Sequence, residues 1–124
     1  MDEKEKMLAG KIYDPSDKTL AALRTKAHKL SKQYNDTFDT EEEKRNEIMA
    51  ELIPQHGTGC YLQGPIYFDY GVFTTMGINC YANFNFTVLD TCPVHIGDNC
   101  ILWTELYDCD SGTSVSLAGT KHEM

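Results

Sequence analysis

The segment IYFDYGVFTTMGINCYANFNFTVLDTCPVHIGDNCI, residues 66–101, divides into six consecutive six-residue units in a single register without a gap. The units start at Ile66, Val72, Ile78, Phe84, Asp90 and Ile96, and their fifth positions hold Tyr70, Met76, Ala82, Val88, Val94 and Cys100. Eleven of these twelve sites are apolar or aromatic, and the positions between them hold most of the Gly, Asn, Asp and Thr. A helix repeats every ~3.6 residues and a half-buried strand about every two, so a period of six fits neither. It fits a parallel β-helix, in which each hexad forms one flat side, three hexads close a coil of about 18 residues, and first and fifth side chains point inward. Six hexads predict about two coils.

An ordinary strand-rich region with recurring turns is the competing reading, because short apolar runs punctuated by Gly and Asn also occur in sandwiches. Asp90 breaks the inward rule and favours that competitor; the unbroken register favours the β-helix. Two coils are few for a stacked fold, whose units need neighbours to cover their open faces.

The chain of 124 residues has room for one modest domain. It contains no apolar run of about 18 residues, and the charged start from Met1 to Lys6 is not followed by a signal-peptide core. These features predict a cytoplasmic protein with no membrane span. The net charge of −8 is unevenly spread: residues 1–53 hold ten of the eleven Lys and Arg against twelve acids, whereas residues 54–124 hold one Lys against seven acids. A nucleic-acid binder needs a basic face, which the repeat region cannot supply. Five cysteines (Cys60, Cys80, Cys92, Cys100 and Cys109) at uneven spacings, with no Cys-x-x-Cys, read as free buried thiols rather than a disulfide framework or a zinc site.

The first part of the chain is helical. Residues 3–9 form a short helix closed by Gly10, and a second starts near Ser16 or Asp17, with Leu20, Leu23, Ala27, Leu30 and Tyr34 at helical spacing on one face. Thr40-x-x-Glu43 is a capping box for a third helix with Ile48, Met49 and Leu52 on its apolar side. His28 and His56 read as a helix-surface and a loop histidine rather than ligands. The resulting divisions are a helical preface over 1–53, a linker over 54–65, a partial β-helix over 66–102 and a tail over 103–124.

The preface beginning EKEKMLAGKIY at residues 3–13, YFDYG at 67–71, YANFNFTVLD at 81–90 and CPVHIGDNC at 92–100 together resemble the maltose and galactoside O-acetyltransferase family. The resemblance implies a left-handed parallel β-helix, a homotrimer, and transfer of an acetyl group from acetyl-CoA to a sugar hydroxyl. It also implies an acceptor-sugar site that includes Asp69 and Asn83 with Tyr81 beside them, and Asp14 and Asp90 as further members. Carboxylates and amides suit that task, since they orient several hydroxyls at once and decide which one faces the thioester.

The family's general base is a His in a Thr-x-His-Pro stretch soon after the segment matching residues 96–102, and no such stretch occurs here. His95 stands where the family does not place its base, and His122 lies in an unrelated tail. The coils that hold acetyl-CoA in the family are absent too, so this chain is expected to bind it poorly and to be inactive alone. Loss of such a base costs a factor of roughly 10² to 10⁴. Back-translation of residues 103–114, read one base later, permits Gly-Pro-Asn-x-x-Ile-Val-Thr-Ala-Ala-His-Pro, which resembles the family's next stretch. The tail therefore reads as out of frame. The alternative function is a non-catalytic assembly module that keeps the preface and two coils and forms self- or mixed oligomers.

Overall fold

The computed structural model describes residues 1–102 and the strand Leu106–Asp108; the remainder of the tail, with His122, lies outside the described residues. Helix α1 (Glu3–Leu8) starts on a capping box: Asp2 Oδ1 accepts from Glu5 N at 2.7 Å, and Glu5 Oε1 accepts from Asp2 N at 3.0 Å. Helix α2 (Lys18–Asn35) follows Asp17, whose carboxylate accepts from Leu20 N at 3.1 Å. It buries Leu20, Ala27, Leu30 and Tyr34, as their spacing predicts.

Helix α3 (Glu42–Leu52) lacks the predicted Thr40–Glu43 capping box. A turn pulls the chain away from it: Glu41 N donates to Phe38 O at 3.0 Å, and Glu41 Oε1 accepts from Phe38 N at 2.9 Å. Glu41 rather than Thr40 thus becomes the cap residue.

The strands are β1 (Gln55–His56), β2 (Tyr61–Leu62), β3 (Ile66–Phe68), β4 (Thr74–Met76), β5 (Tyr81–Ala82), β6 (Phe86–Leu89), β7 (Val94–Ile96), β8 (Ile101–Leu102) and β9 (Leu106–Asp108). They form three parallel sheets, β1-β4-β7, β2-β5-β8 and β3-β6-β9. These are the three faces of a parallel β-helix. Three expectations are corrected here. Residues 55–62 carry β1 and β2, so the predicted linker is the start of the first coil. Tyr61 pairs with Tyr81 and Tyr81 with Ile101, a coil of 20 residues rather than 18. Three coils, not two, are represented.

A further correction concerns the register. Ile78 and Phe84, assigned inward, are 43% and 55% exposed, whereas Leu62, Cys80, Phe86 and Leu102 are buried inside. The corners hold the extra residues: 69–73 join β3 to β4, and 90–93 join β6 to β7. An unbroken count of six slides past these insertions, although its fifth positions Tyr70, Met76, Ala82, Val88, Val94 and Cys100 are all buried.

The helices close the open edge of the first coil. Asn35 replaces a missing strand, donating from Nδ2 to Ile66 O at 2.9 Å and accepting from Ile66 N at 2.7 Å. Arg45, only 6% exposed, donates to Leu62 O at 3.1 Å, Gln63 O at 3.2 Å and Thr37 Oγ1 at 2.8 Å. Its guanidinium also lies 4.6 Å from the centroid of the Tyr34 ring. Backbone groups that would be stranded at a buried sheet edge are thereby satisfied.

Cys60 and Cys80 are free thiols at the 20-residue coil spacing, which Cys100 continues, and burial pushes the Cys80 thiol up to about 12. Cys92 is disulfide-bonded, against the expectation of free thiols throughout. No helix among the described residues is long and apolar enough to cross a membrane.

Candidate acceptor site

Two of the five acceptor candidates, Asp69 and Asp90, meet around Tyr70, at the corner between β3 and β4. Asp90 is completely buried; its Oδ1 accepts from Tyr70 N at 2.8 Å and its Oδ2 from Thr74 Oγ1 at 2.9 Å. Burial pushes its carboxyl up to about 6, against the pull of these donors. The assignment of Asp90 as a sugar ligand is therefore corrected: both oxygens are spent on the corner, out of a ligand's reach. Its break of the inward rule has the same cause, because an inward carboxylate can staple the extra corner residues to the next coil.

Asp69, one residue earlier, is partly buried, and its carboxyl is raised by that burial while nearby His28 and Arg24 pull it down. Asp14 is exposed on the loop before α2, accepting from Ser16 N at 3.0 Å and Ser16 Oγ at 2.7 Å, which lowers its pKa. Arg24 joins the loop to the corner. Its Nη2 donates to Pro15 O at 2.7 Å and its Nη1 to Tyr70 Oη at 2.9 Å. Sequence reasoning missed Arg24, which carries no motif; its only signal was its place four residues after Leu20 and three before Ala27, on the flank of the buried face of α2.

Tyr81 and Asn83 lie elsewhere. Tyr81 is on β5, in the second face, 38% exposed, and stacks on Tyr61 with ring centroids 5.4 Å apart. Asn83 follows it, partly buried, with its backbone N donating to Leu102 O at 2.8 Å. One chain thus presents Asp69 at a corner of the third face, Asp14 on the loop that Arg24 ties to that corner, and Tyr81 and Asn83 at the second face, and does not gather them into one cluster.

A cavity of about 320 Å³ opens beside Asp69, between α2 and the third face, with His28 and Ser31 on its helical wall and Tyr67, Phe68 and Leu89 on its sheet side. His95 is exposed on β7, and His56 Nδ1 lies 2.5 Å from Ile53 O. Among the described residues no group of three or more His, Cys, Asp or Glu is arranged to hold a metal ion.

Residues 6–57 match the family described as the maltose acetyltransferase hexapeptide capping motif. The chain is 34% identical over 98 residues to the galactoside O-acetyltransferase of Escherichia coli (strain K12), an overlap of 79% of this chain and 48% of that protein. Its fold is similar to a maltose O-acetyltransferase from Clostridium difficile, with TM-score 0.77 and 39% identity over 83% of this chain and 55% of the other. A galactoside acetyltransferase in complex with coenzyme A matches with TM-score 0.81 and 32% identity, over 88% of this chain and 55% of the other. The chain spans about half the length of the curated relatives it matches. Its architecture, a helical preface on a left-handed parallel β-helix, is that of these hexapeptide-repeat acetyltransferases. On sequence and fold together, the chain belongs to the maltose and galactoside O-acetyltransferase family.

Proposed function

We propose that this chain is the acceptor half of an acetyl-CoA-dependent sugar O-acetyltransferase. Asp14, Asp69, Tyr81 and Asn83 hold the sugar, and the base and CoA-binding coils are supplied only when the reading frame continues past residue 102. The observation that carries this reading is the structural overlap with the CoA-bound galactoside acetyltransferase, which takes in 88% of this chain but 55% of that one. The 124 residues contain no Thr-x-His-Pro, the stretch that by resemblance carries the base that takes the proton from a sugar hydroxyl.

Glucose, maltose and a galactoside are the acceptors to test. The orientation of Asp69 and Asn83 on two faces fits a homotrimer, in which the corner of one subunit meets the second face of its neighbour. Acetyl-CoA turnover by a version restored to frame, lost on Asn83→Ala, supports the assignment; turnover indifferent to both Asp69→Ala and Asn83→Ala overturns it. Sequencing the gene tests the out-of-frame tail, and the absence of the family's pattern in every downstream frame would remove that part. A cytoplasmic location belongs to the same reading; the free thiols at Cys60 and Cys80 fit it, and the disulfide at Cys92 does not.

A second reading rests on Ile78, Tyr81 and Phe84, exposed around β5 at 43%, 38% and 55%. In it the chain is an assembly module that docks on itself or on intact subunits without catalysis. Native mass spectrometry of the chain mixed with an intact homologue tests it: mixed oligomers support the module, and a persistently separate monomer excludes it.

A further inference from the structure

Asp14 stands in an exposed loop, yet almost every polar atom it has is held. Its backbone N donates to Glu3 Oε1 at 2.6 Å, across a separation of 11 residues. Its carbonyl accepts from Asp17 N at 3.1 Å, and its Oδ1 takes both bonds from Ser16, from N at 3.0 Å and from Oγ at 2.7 Å. The next residue is held too, since Pro15 O accepts from Arg24 Nη2. Only Oδ2 is left: among the described residues no hydrogen bond or ion pair reaches it. Exposed loops are ordinarily the most mobile parts of a fold. One that fixes a carboxylate at every polar atom but one oxygen is built to present that oxygen.

Helix α1 supplies the first of these bonds. Met7, its one buried residue, shares an apolar cluster with Leu20 and Tyr70, at the corner that carries Asp69. One turn earlier, Glu3 is oriented from both sides: Lys6 Nζ lies 2.8 Å from Oε2, while Oε1 takes the Asp14 amide. Lys6 and that amide also lower the Glu3 pKa, so the acceptor is ionised at neutral pH. A partly exposed ion pair of this kind adds little stability. What it adds is direction. α1 is thus a strut, seated on the Tyr70 corner through Met7 and on the Asp14 loop through Glu3. Arg24 makes a second strut between the same two places, from Tyr70 Oη to Pro15 O.

We propose that Glu3 is a positioning residue of the acceptor site: through the Asp14 amide it fixes where the Asp14 carboxylate stands relative to Asp69, with Oδ2 left for a sugar hydroxyl. This rests on the acceptor reading above and extends it to α1, where Glu3 acts through the backbone of Asp14 rather than on the sugar. A contact held in advance loses little freedom on binding, and a misplacement of about 1 Å costs on the order of 100-fold.

Two measurements test it. In the full isotope-labelled chain, hydrogen exchange at the Asp14 amide is expected to quicken about tenfold in Glu3→Ala. Glu3→Gln keeps a side-chain carbonyl for that amide and should exchange close to the parent rate. In the version restored to frame after residue 102, Glu3→Ala should raise KM for the acceptor sugar about tenfold and leave KM for acetyl-CoA unchanged. Glu3→Gln should recover most of that loss, and Glu3→Ala should add nothing once Asp14→Ala is in place, which a general loss of structure would not reproduce. Unchanged exchange at Asp14, no recovery by Glu3→Gln, or equal losses with and without the Asp14 side chain each overturn the proposal. An acceptor KM raised by Asp14→Ala but not by Glu3→Ala removes Glu3 and keeps the acceptor reading. An acceptor KM unmoved by Asp14→Ala removes Asp14 from that reading, and Glu3 with it.

Discussion

Asp90 Oδ1 accepts the backbone N–H of Tyr70 at 2.8 Å, joining residues one coil apart through a carboxylate that solvent does not reach. Asp90→Ala would leave that N–H and the Thr74 hydroxyl buried without an acceptor. Two lost acceptors beside a small cavity cost about 2–4 kcal/mol, read as a lower urea midpoint.

The same carboxylate makes stability depend on pH. Burial holds the folded Asp90 at about 6, above the unfolded value near 4, so its contribution is fully present below pH ~4 and is lost as pH rises through ~6. The loss amounts to roughly 3 kcal/mol. Melting temperatures measured between pH 4 and 7 should fall more steeply for the parent than for Asp90→Asn; parallel curves would contradict this.

The corner also explains which parts of the fold could be read from sequence. A β-helix announces itself through fifth positions such as Met76 and Val88, whose burial is local to each strand. Coil length is decided at corners by hydrogen bonds such as those of Asp90 and by the left-handed Gly71, and these pair residues one coil apart. The count of six therefore identified the architecture yet placed Ile78 and Phe84 on the wrong side. For the proposed site, Asp69 enters by the resemblance of YFDYG, while the contacts of Arg24 depend on how α2 lies against the sheet, which no spacing within α2 encodes.

Gly71 and Gly10 offer a matched pair. Both have left-handed backbones, φ +77° and +78°, but a Cβ at Gly71 would overlap the Leu52 carbonyl, whereas Gly10 has nothing within 4 Å. Gly10→Ala should cost only the conformational penalty of about 1–2 kcal/mol. Gly71→Ala should cost more, roughly 3 kcal/mol or above, because α3 must shift. Equal losses in thermal denaturation would contradict the packing of this corner on α3.

Arg45 carries the closure of the first coil. Arg45→Ala strands the Gln63 carbonyl, leaves Leu62 O to the Tyr34 hydroxyl alone, and should destabilise the chain by about 3 kcal/mol in urea denaturation. Arg45→Lys should recover only part, since one ammonium cannot span both carbonyls and Thr37 as the guanidinium does.

Arg24 and His28 hold the Asp69 carboxyl down against the effect of its burial. Arg24→Met should therefore raise the Asp69 pKa further, followed by the carboxyl carbon resonance during a pH titration. It should also release Pro15 O, and with it the loop that carries Asp14. An unchanged Asp69 titration would show that Arg24 does not act on this site.

Acetyl-CoA consumption with glucose, maltose or a galactoside, measured side by side for the chain as it stands and for a version restored to frame after residue 102, tests the account most directly. Turnover by the restored version alone is the predicted result, with the missing His and coils explaining the silence of the shorter chain. Turnover by the chain as it stands would contradict the account and make His95 or His122 the first residue to replace.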